Sequence, residues 1–183
     1  MVSDFVKGRH QYDFPDNVQK GISLHRLIDA FTDAHEATKE AKEVFRPHYR
    51  LYSGAFVDVV YDHFLALDEN EFSKESLLAF SEKVYAELEV QADWFPEKFA
   101  HFFPYMKTHN WLFGYRERTG IEKSLGGVVR RAAYLTESKT AFKLFDDNYQ
   151  LLADCYRHFW AFVKPFARQR FEEFVSEEPP GIL

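Results

Sequence analysis

A single cysteine, Cys155, stands in this chain of 183 residues, so no internal disulfide supports the fold, a usage that fits a reducing compartment. Long apolar runs are missing too. Nothing approaches the ~18 residues of a membrane-spanning helix, and the N-terminus lacks the basic-then-apolar order of a secretory signal. The expectation is a cytoplasmic protein with no membrane partner. Basic charge is in deficit, 23 Lys and Arg against 29 Asp and Glu for a net charge of −6, which argues against a general nucleic-acid binder because phosphate neutralisation needs a basic surface. There is no glycine-rich phosphate loop, serine nucleophile elbow or Cys-rich zinc motif. Strand-like alternation and internal repeats are absent as well.

What is present suits one packed unit. Hydrophobic residues make up 46% and aromatics 18%, with twenty Phe and ten Tyr, enough to build a core at this length. The pattern predicts an all-α bundle of about six to eight helices in a single domain over 1–175, followed by a loose tail at 176–183. Asp16 is placed to N-cap a helix running to about Phe31, and Asp33-Ala34-His35-Glu36 fits a capping box opening a second helix that ends before Pro47. From Tyr52 to Leu67 the chain is apolar on nearly every side, so this helix should be buried on most faces and its aspartates shielded from solvent. Ser73 caps a further amphipathic helix reaching about Gln91. Pro96 suits the first turn of the next, which Pro104 should kink or end. Thr119-Gly120-Ile121-Glu122 resembles another capping box, with a helix continuing to Leu135 through Gly126-Gly127. That glycine pair lowers helix stability and points to close packing or a bend. The last helical pattern covers Phe142 to Phe174, with a kink expected at Pro165.

Two stretches carry residues capable of chemistry. In Ser23–Asp33, His25 and Asp29 stand one turn apart beside an apolar stripe, a spacing that serves either a metal ion or an ordinary intrahelical ion pair, the latter favoured for the pair alone. Arg26 between them is either a solvated charge or an anion clamp. In Phe56–Leu65, Asp58 and Asp62 repeat the one-turn spacing and His63 follows directly. Carboxylates in an apolar helix need a cation, a hydrogen-bond network or a bound proton. Adjacent helical residues point about 100° apart, so Asp62 and His63 are poorly placed to chelate one ion and would reach different partners. Oxygen and imidazole ligands without thiolates favour Mn²⁺, with Mg²⁺ or Fe²⁺ as alternatives, over structural zinc. Glu36, Glu40 and Glu43 supply no ferritin-like Glu-x-x-His motif. His35, His48, His101 and His158 read as surface or packing residues, and His109 as a weak candidate beside Asn110 and Trp111. Trp111, Tyr115 and Trp160 read as core aromatics. Arg116, Arg118, Lys123, Arg130 and Arg131 form the densest basic region, either a solvated helix face or a dock for an acidic partner.

At these residues the chain resembles the acyl carrier protein phosphodiesterase family, also called acyl carrier protein hydrolase, a divergent branch of the HD-type phosphohydrolases with the dipeptide here written Asp62-His63. The matching blocks are Asp4-Phe5-Val6-Lys7-Gly8, Gly21 to Asp29 continuing to Thr32-Asp33, Asp58 to Leu65, and Trp111-Leu112 with Tyr115-Arg116. The resemblance implies an HD-like helical fold and manganese-dependent hydrolysis that removes 4′-phosphopantetheine from holo acyl carrier protein, an acidic protein substrate. It further implies that Asp4, His25, Asp29, Asp62 and His63 are metal-binding or catalytic residues, that Arg26 contacts phosphate, and that Asp58 and Asp33 support the site. Family members usually carry an apolar, histidine-containing helix ahead of the Asp4 block, and this chain begins almost inside that block. A homo-oligomer covering the gap is therefore an expectation. Two alternatives stand beside this reading: a nucleotide phosphohydrolase of the HD class, and a catalytically impaired helical module that binds the carrier protein.

Overall fold

The computed structural model describes residues 2–176, with the side chains of Val2 and Asp4 outside the described set. Among the described residues there are nine α-helices, four 3-10 turns and no strand. The helices are α1 (Asp16–Ala34), α2 (Glu36–Tyr49), α3 (Ser53–Leu67), α4 (Lys74–Val90), α5 (Glu97–Thr108), α6 (Trp111–Gly114), α7 (Arg118–Arg131), α8 (Lys139–Asp147) and α9 (Tyr149–Ser176). None of them is long and apolar enough to cross a membrane.

α3 is the central helix. Phe56, Val57 and Val60 are fully buried, and they meet Phe45 of α2, Ile121 and Leu125 of α7, Phe145 of α8 and Leu152 of α9 in one core. Burying one such phenylalanine contributes about 2–3 kcal/mol. α1 and α2 pack along α9 and so close the far side of this core. A second, smaller cluster joins Tyr85 of α4 to Phe99, Phe103 and Met106 of α5, with Phe5 and Trp111 packed against it.

Several predicted boundaries move, each for a local reason. α1 is capped by Pro15, and Asp16 is its first residue, where a carboxylate favours the helix N-terminus without capping it. The cap of α2 is His35, whose Nδ1 accepts the Ala37 N–H at 3.2 Å. Asp33 instead pairs with Lys42 at 2.6 Å. α2 runs through Pro47 and ends two residues later, where Arg50 turns the chain with φ of +46°. α5 and α9 likewise continue through Pro104 and Pro165. The lost hydrogen bond in α9 is offset by its packing on α1 and α2. Glu117, not Thr119, flanks the start of α7, which ends at Arg131. The long terminal pattern breaks at Asn148 into α8 and α9, whose side-chain amide satisfies the Leu144 carbonyl at 2.9 Å. That break, with the four-residue α6, raises the helix number above the predicted range. Of the predicted tail, Ser176 is the last residue of α9, and 177–183 lie outside the described residues.

Candidate active site

On α3 only two positions are exposed, Asp58 and Asp62. The expectation that burial of the helix would shield its aspartates is corrected: the helix is buried around a single exposed strip that carries both carboxylates, one turn apart. Neighbouring side chains crowd both carboxylates despite that exposure. That crowding, followed by repulsion from Asp62, Asp29 and Asp33 and opposed by Lys42, pushes Asp58 up to about 7. Crowding also raises Asp62 to about 6, against a hydrogen bond from the Tyr115 hydroxyl that favours the carboxylate. Asp58 therefore lies within electrostatic reach of Asp29 and Asp33 of α1, with Lys42 of α2 as the countercharge.

α1 carries two of the acids that act on Asp58. His25 Nδ1 lies 2.8 Å from an Asp29 carboxylate oxygen, the intrahelical pair expected from the spacing, and the Asp29 side chain is largely exposed. Arg26 turns the other way. Its guanidinium donates to the Val6 carbonyl at 2.9 Å and to the Gln11 side chain, tying the N-terminal 3-10 turns to α1.

His63 is separated from Asp62 although it follows it in sequence. It is 1% exposed, ringed by Phe64, Phe145 and Tyr149, with Nδ1 2.6 Å from the Tyr115 carbonyl and Nε2 3.3 Å from the Tyr149 hydroxyl. A carbonyl only accepts, so Nδ1 carries the proton and Nε2 accepts from Tyr149. Burial, with Arg118 nearby, lowers the His63 pKa and keeps the ring neutral, although the bond to the Tyr115 carbonyl opposes this. Tyr115 is thus gripped at both ends, its hydroxyl by Asp62 and its carbonyl by His63. Sequence reading took Tyr115 for a core aromatic. The available signal was its place in the Trp111–Arg116 block, which carries no spacing rule linking it to Asp62.

The donor chemistry, carboxylates with one imidazole, fits a hard divalent cation. Among the described residues, however, no three His, Cys, Asp or Glu side chains converge closely enough to hold one. The Asp4 side chain lies outside the described residues. His109 is exposed at the end of α5, with Nδ1 2.9 Å from the Tyr105 carbonyl, and belongs to the second cluster's surface. Buried Cys155 has its thiol pushed up to about 11, chiefly by burial, so it offers little thiolate.

No solved structure matches this chain. Three proteins named acyl carrier protein phosphodiesterase are similar to it in sequence. The Photorhabdus laumondii protein is 30% identical over 173 residues, 94% of this chain and 85% of that protein. The Enterobacter protein (strain 638) is 32% identical over 163 residues, 88% of this chain and 83% of its own. The Klebsiella pneumoniae protein (strain ATCC 700721) is 33% identical over 171 residues, covering 92% and 86%. The profile described as acyl carrier protein phosphodiesterase matches residues 1–163, which include α1, α3 and Tyr115. This chain, with the exposed Asp58 and Asp62 of α3 and the acids of α1, belongs to the acyl carrier protein phosphodiesterase family.

Proposed function

We propose that this protein is a hydrolase that cleaves the phosphodiester joining 4′-phosphopantetheine to a serine of holo acyl carrier protein, releasing the apo protein and phosphopantetheine. The observation that carries this reading is the exposed strip of α3, where Asp58 and Asp62 face the α1 acids in a family whose named relatives act on that protein. Phosphodiester hydrolysis needs a base for the attacking water and an acid for the departing alkoxide. In the metal-free protein the Asp58 carboxyl, near 7, is populated in both forms at neutral pH, whereas a bound cation would hold it as the carboxylate ligand. Asp62, held by the Tyr115 hydroxyl, keeps its orientation and more of its charge. His63 secures Tyr115 from the core side and so acts as a positioning residue.

The reading includes a divalent cation, Mn²⁺ in the first instance, held by Asp58 and Asp62 with Asp29, His25 and Asp4 as the further candidates. When bound, it supplies Lewis-acid polarisation of the phosphoryl oxygen. The repulsion that Asp62, Asp29 and Asp33 exert on the Asp58 carboxylate supports this part of the reading, since a cation relieves it.

The test is release of phosphopantetheine from holo carrier protein with Mn²⁺, run beside a nucleotide panel, on the wild type and Asp62→Asn. Turnover that needs the metal and falls at least about 100-fold in the folded variant is the expected result. Turnover of nucleotides alone would overturn the substrate, and metal-independent turnover would overturn the cation. Mn²⁺ binding is read separately from the thermal midpoint. Saturation at about 100 times Kd stabilises the wild type by about 2.7 kcal/mol, and Asp58→Asn should lose most of that gain.

A further inference from the structure

Three arginines at one corner of this acidic molecule have no ion-pair partner among the described residues. Arg50 follows α2, and Arg130 and Arg131 end α7. By contrast, Arg118 in the same basic region is paired with Asp146, and Arg116 donates to the Ala66 carbonyl at 2.7 Å. The two α7 arginines lie back over the Gly126-Gly127 pair. A Cβ at Gly127 would meet Arg131 Nη1 at 3.3 Å and Arg130 Nη2 at 3.7 Å, so the two guanidinium groups sit side by side on one patch of bare backbone. Two glycines in a helix cost about 1 kcal/mol each against alanine, and here the freed space is filled by like charges. Such a pair is relieved by an anion.

The arginine pair adjoins the loop between α7 and α8, and that loop meets the end of α2, which Arg50 follows. A Cβ at Gly126 would lie 3.4 Å from Arg130 Nη1 and 3.5 Å from Ser138 Oγ, which places Arg130 against the loop between α7 and α8. That loop is tied to the end of α2 by the Tyr49 hydroxyl, 3.3 Å from the Glu137 carboxylate, and Glu137 also accepts the Thr140 N–H at 3.0 Å. The loop's acid is therefore turned inward. The two most exposed large apolar side chains among the described residues adjoin these arginines in sequence: Leu51, 99% exposed, follows Arg50, and Tyr134, 87% exposed, lies three residues after Arg131. Arg50 holds a backbone conformation unfavourable for a non-glycine residue, φ +46° and ψ −115°, and so presents Leu51 to solvent. Exposed apolar side chains next to arginines have the composition of an interface centre. α7 packs directly on α3, the helix that carries Asp58 and Asp62.

Resting on the reading above, we propose that Arg50, Leu51, Arg130, Arg131 and Tyr134 form the docking surface for an acidic face of the carrier-protein substrate, oriented so that its modified serine meets the Asp58 and Asp62 carboxylates. The occupant is chosen by charge. Arg50, Arg130 and Arg131 have no ion-pair partner among the described residues and adjoin exposed apolar side chains, a combination that suits an acidic partner on a molecule whose net charge of −6 does not otherwise favour one.

The test uses the full chain in three forms, wild type, Arg130→Glu/Arg131→Glu, and Leu51→Ser/Tyr134→Ser. Binding of apo carrier protein is measured by calorimetry, and KM and kcat on the holo form are measured with Mn²⁺. The second variant changes only exposed side chains on other elements, so it keeps the test open if charge reversal unfolds α7. Apo-protein binding at least about tenfold weaker in both variants, with KM raised in parallel and kcat within about twofold, is expected, together with a shallower salt dependence for the arginine variant. Unchanged Kd and KM in variants of an active enzyme would overturn the docking surface and leave the proposed reaction standing. Binding that depends on these residues without any turnover would support the surface and overturn the reaction. Absence of both binding and turnover in the wild type would overturn both.

Discussion

Asp62 and His63 point into opposite environments, one towards solvent and the other into an aromatic core, and Tyr115 joins them. Tyr115→Phe should leave His63 bonded to the backbone carbonyl and remove only the hydroxyl from Asp62. Loss of that hydrogen bond raises the Asp62 pKa further. The acidic limb of the pH–rate profile should therefore move up by about half a unit, with about 1 kcal/mol lost in denaturant unfolding. An unmoved limb would mean that the phenol does not hold the working carboxylate. The pH dependence of stability follows from opposed shifts. His63 has a folded pKa below its ordinary 6.5, so its contribution is complete above 6.5 and is lost as pH falls below it. Asp58 has a folded pKa raised from 3.8 to about 7, so the folded state binds protons more tightly and is progressively disfavoured as pH rises through that window. Asp58→Asn should therefore stabilise the metal-free protein at pH 8, by about 1 kcal/mol once screening of this exposed group is allowed for, and leave it unchanged at pH 3. Thermal unfolding at the two pH values checks the sign.

Among the elements, α7 illustrates how one residue type serves two purposes. A Cβ at Gly120 would collide with the Gly114 backbone carbonyl, so the turn leading into α7, which includes Tyr115, depends on that close approach. Gly120→Ala should cost about 1–3 kcal/mol, because backbone must move, and should lower activity with it. Gly126→Ala meets only the ends of the Arg130 and Ser138 side chains at 3.4 and 3.5 Å, groups able to swing aside. It should be neutral or stabilise by up to about 1 kcal/mol. Circular dichroism melts of the two variants separate the cases, and equal effects would contradict this account of the glycines.

Taken whole, the molecule has a large core around α3 and a smaller one between α4 and α5. The smaller cluster rests on four buried side chains, so amides of α4 and α5 should exchange with solvent well before those of α2 and α3, readable by hydrogen-exchange mass spectrometry. Uniform protection across both would show that the two clusters unfold together. Composition and helical periodicity determined the all-α class and the buried character of α3, because apolar spacing along one helix decides which of its faces seeks a core. Spacing also determined the His25–Asp29 contact, since i and i+4 are neighbours on any helix. Cap positions were less legible, because Asp33 and His35 compete for local partners and Lys42, nine residues on, drew Asp33 away. Only the tertiary structure decided that Asp58 and Asp62 lie on the open strip of a buried helix, that His63 faces the core, and that Tyr115 binds them both. Those facts depend on where α1 and the Tyr115 turn come to rest against α3, contacts between segments tens of residues apart that no local pattern encodes.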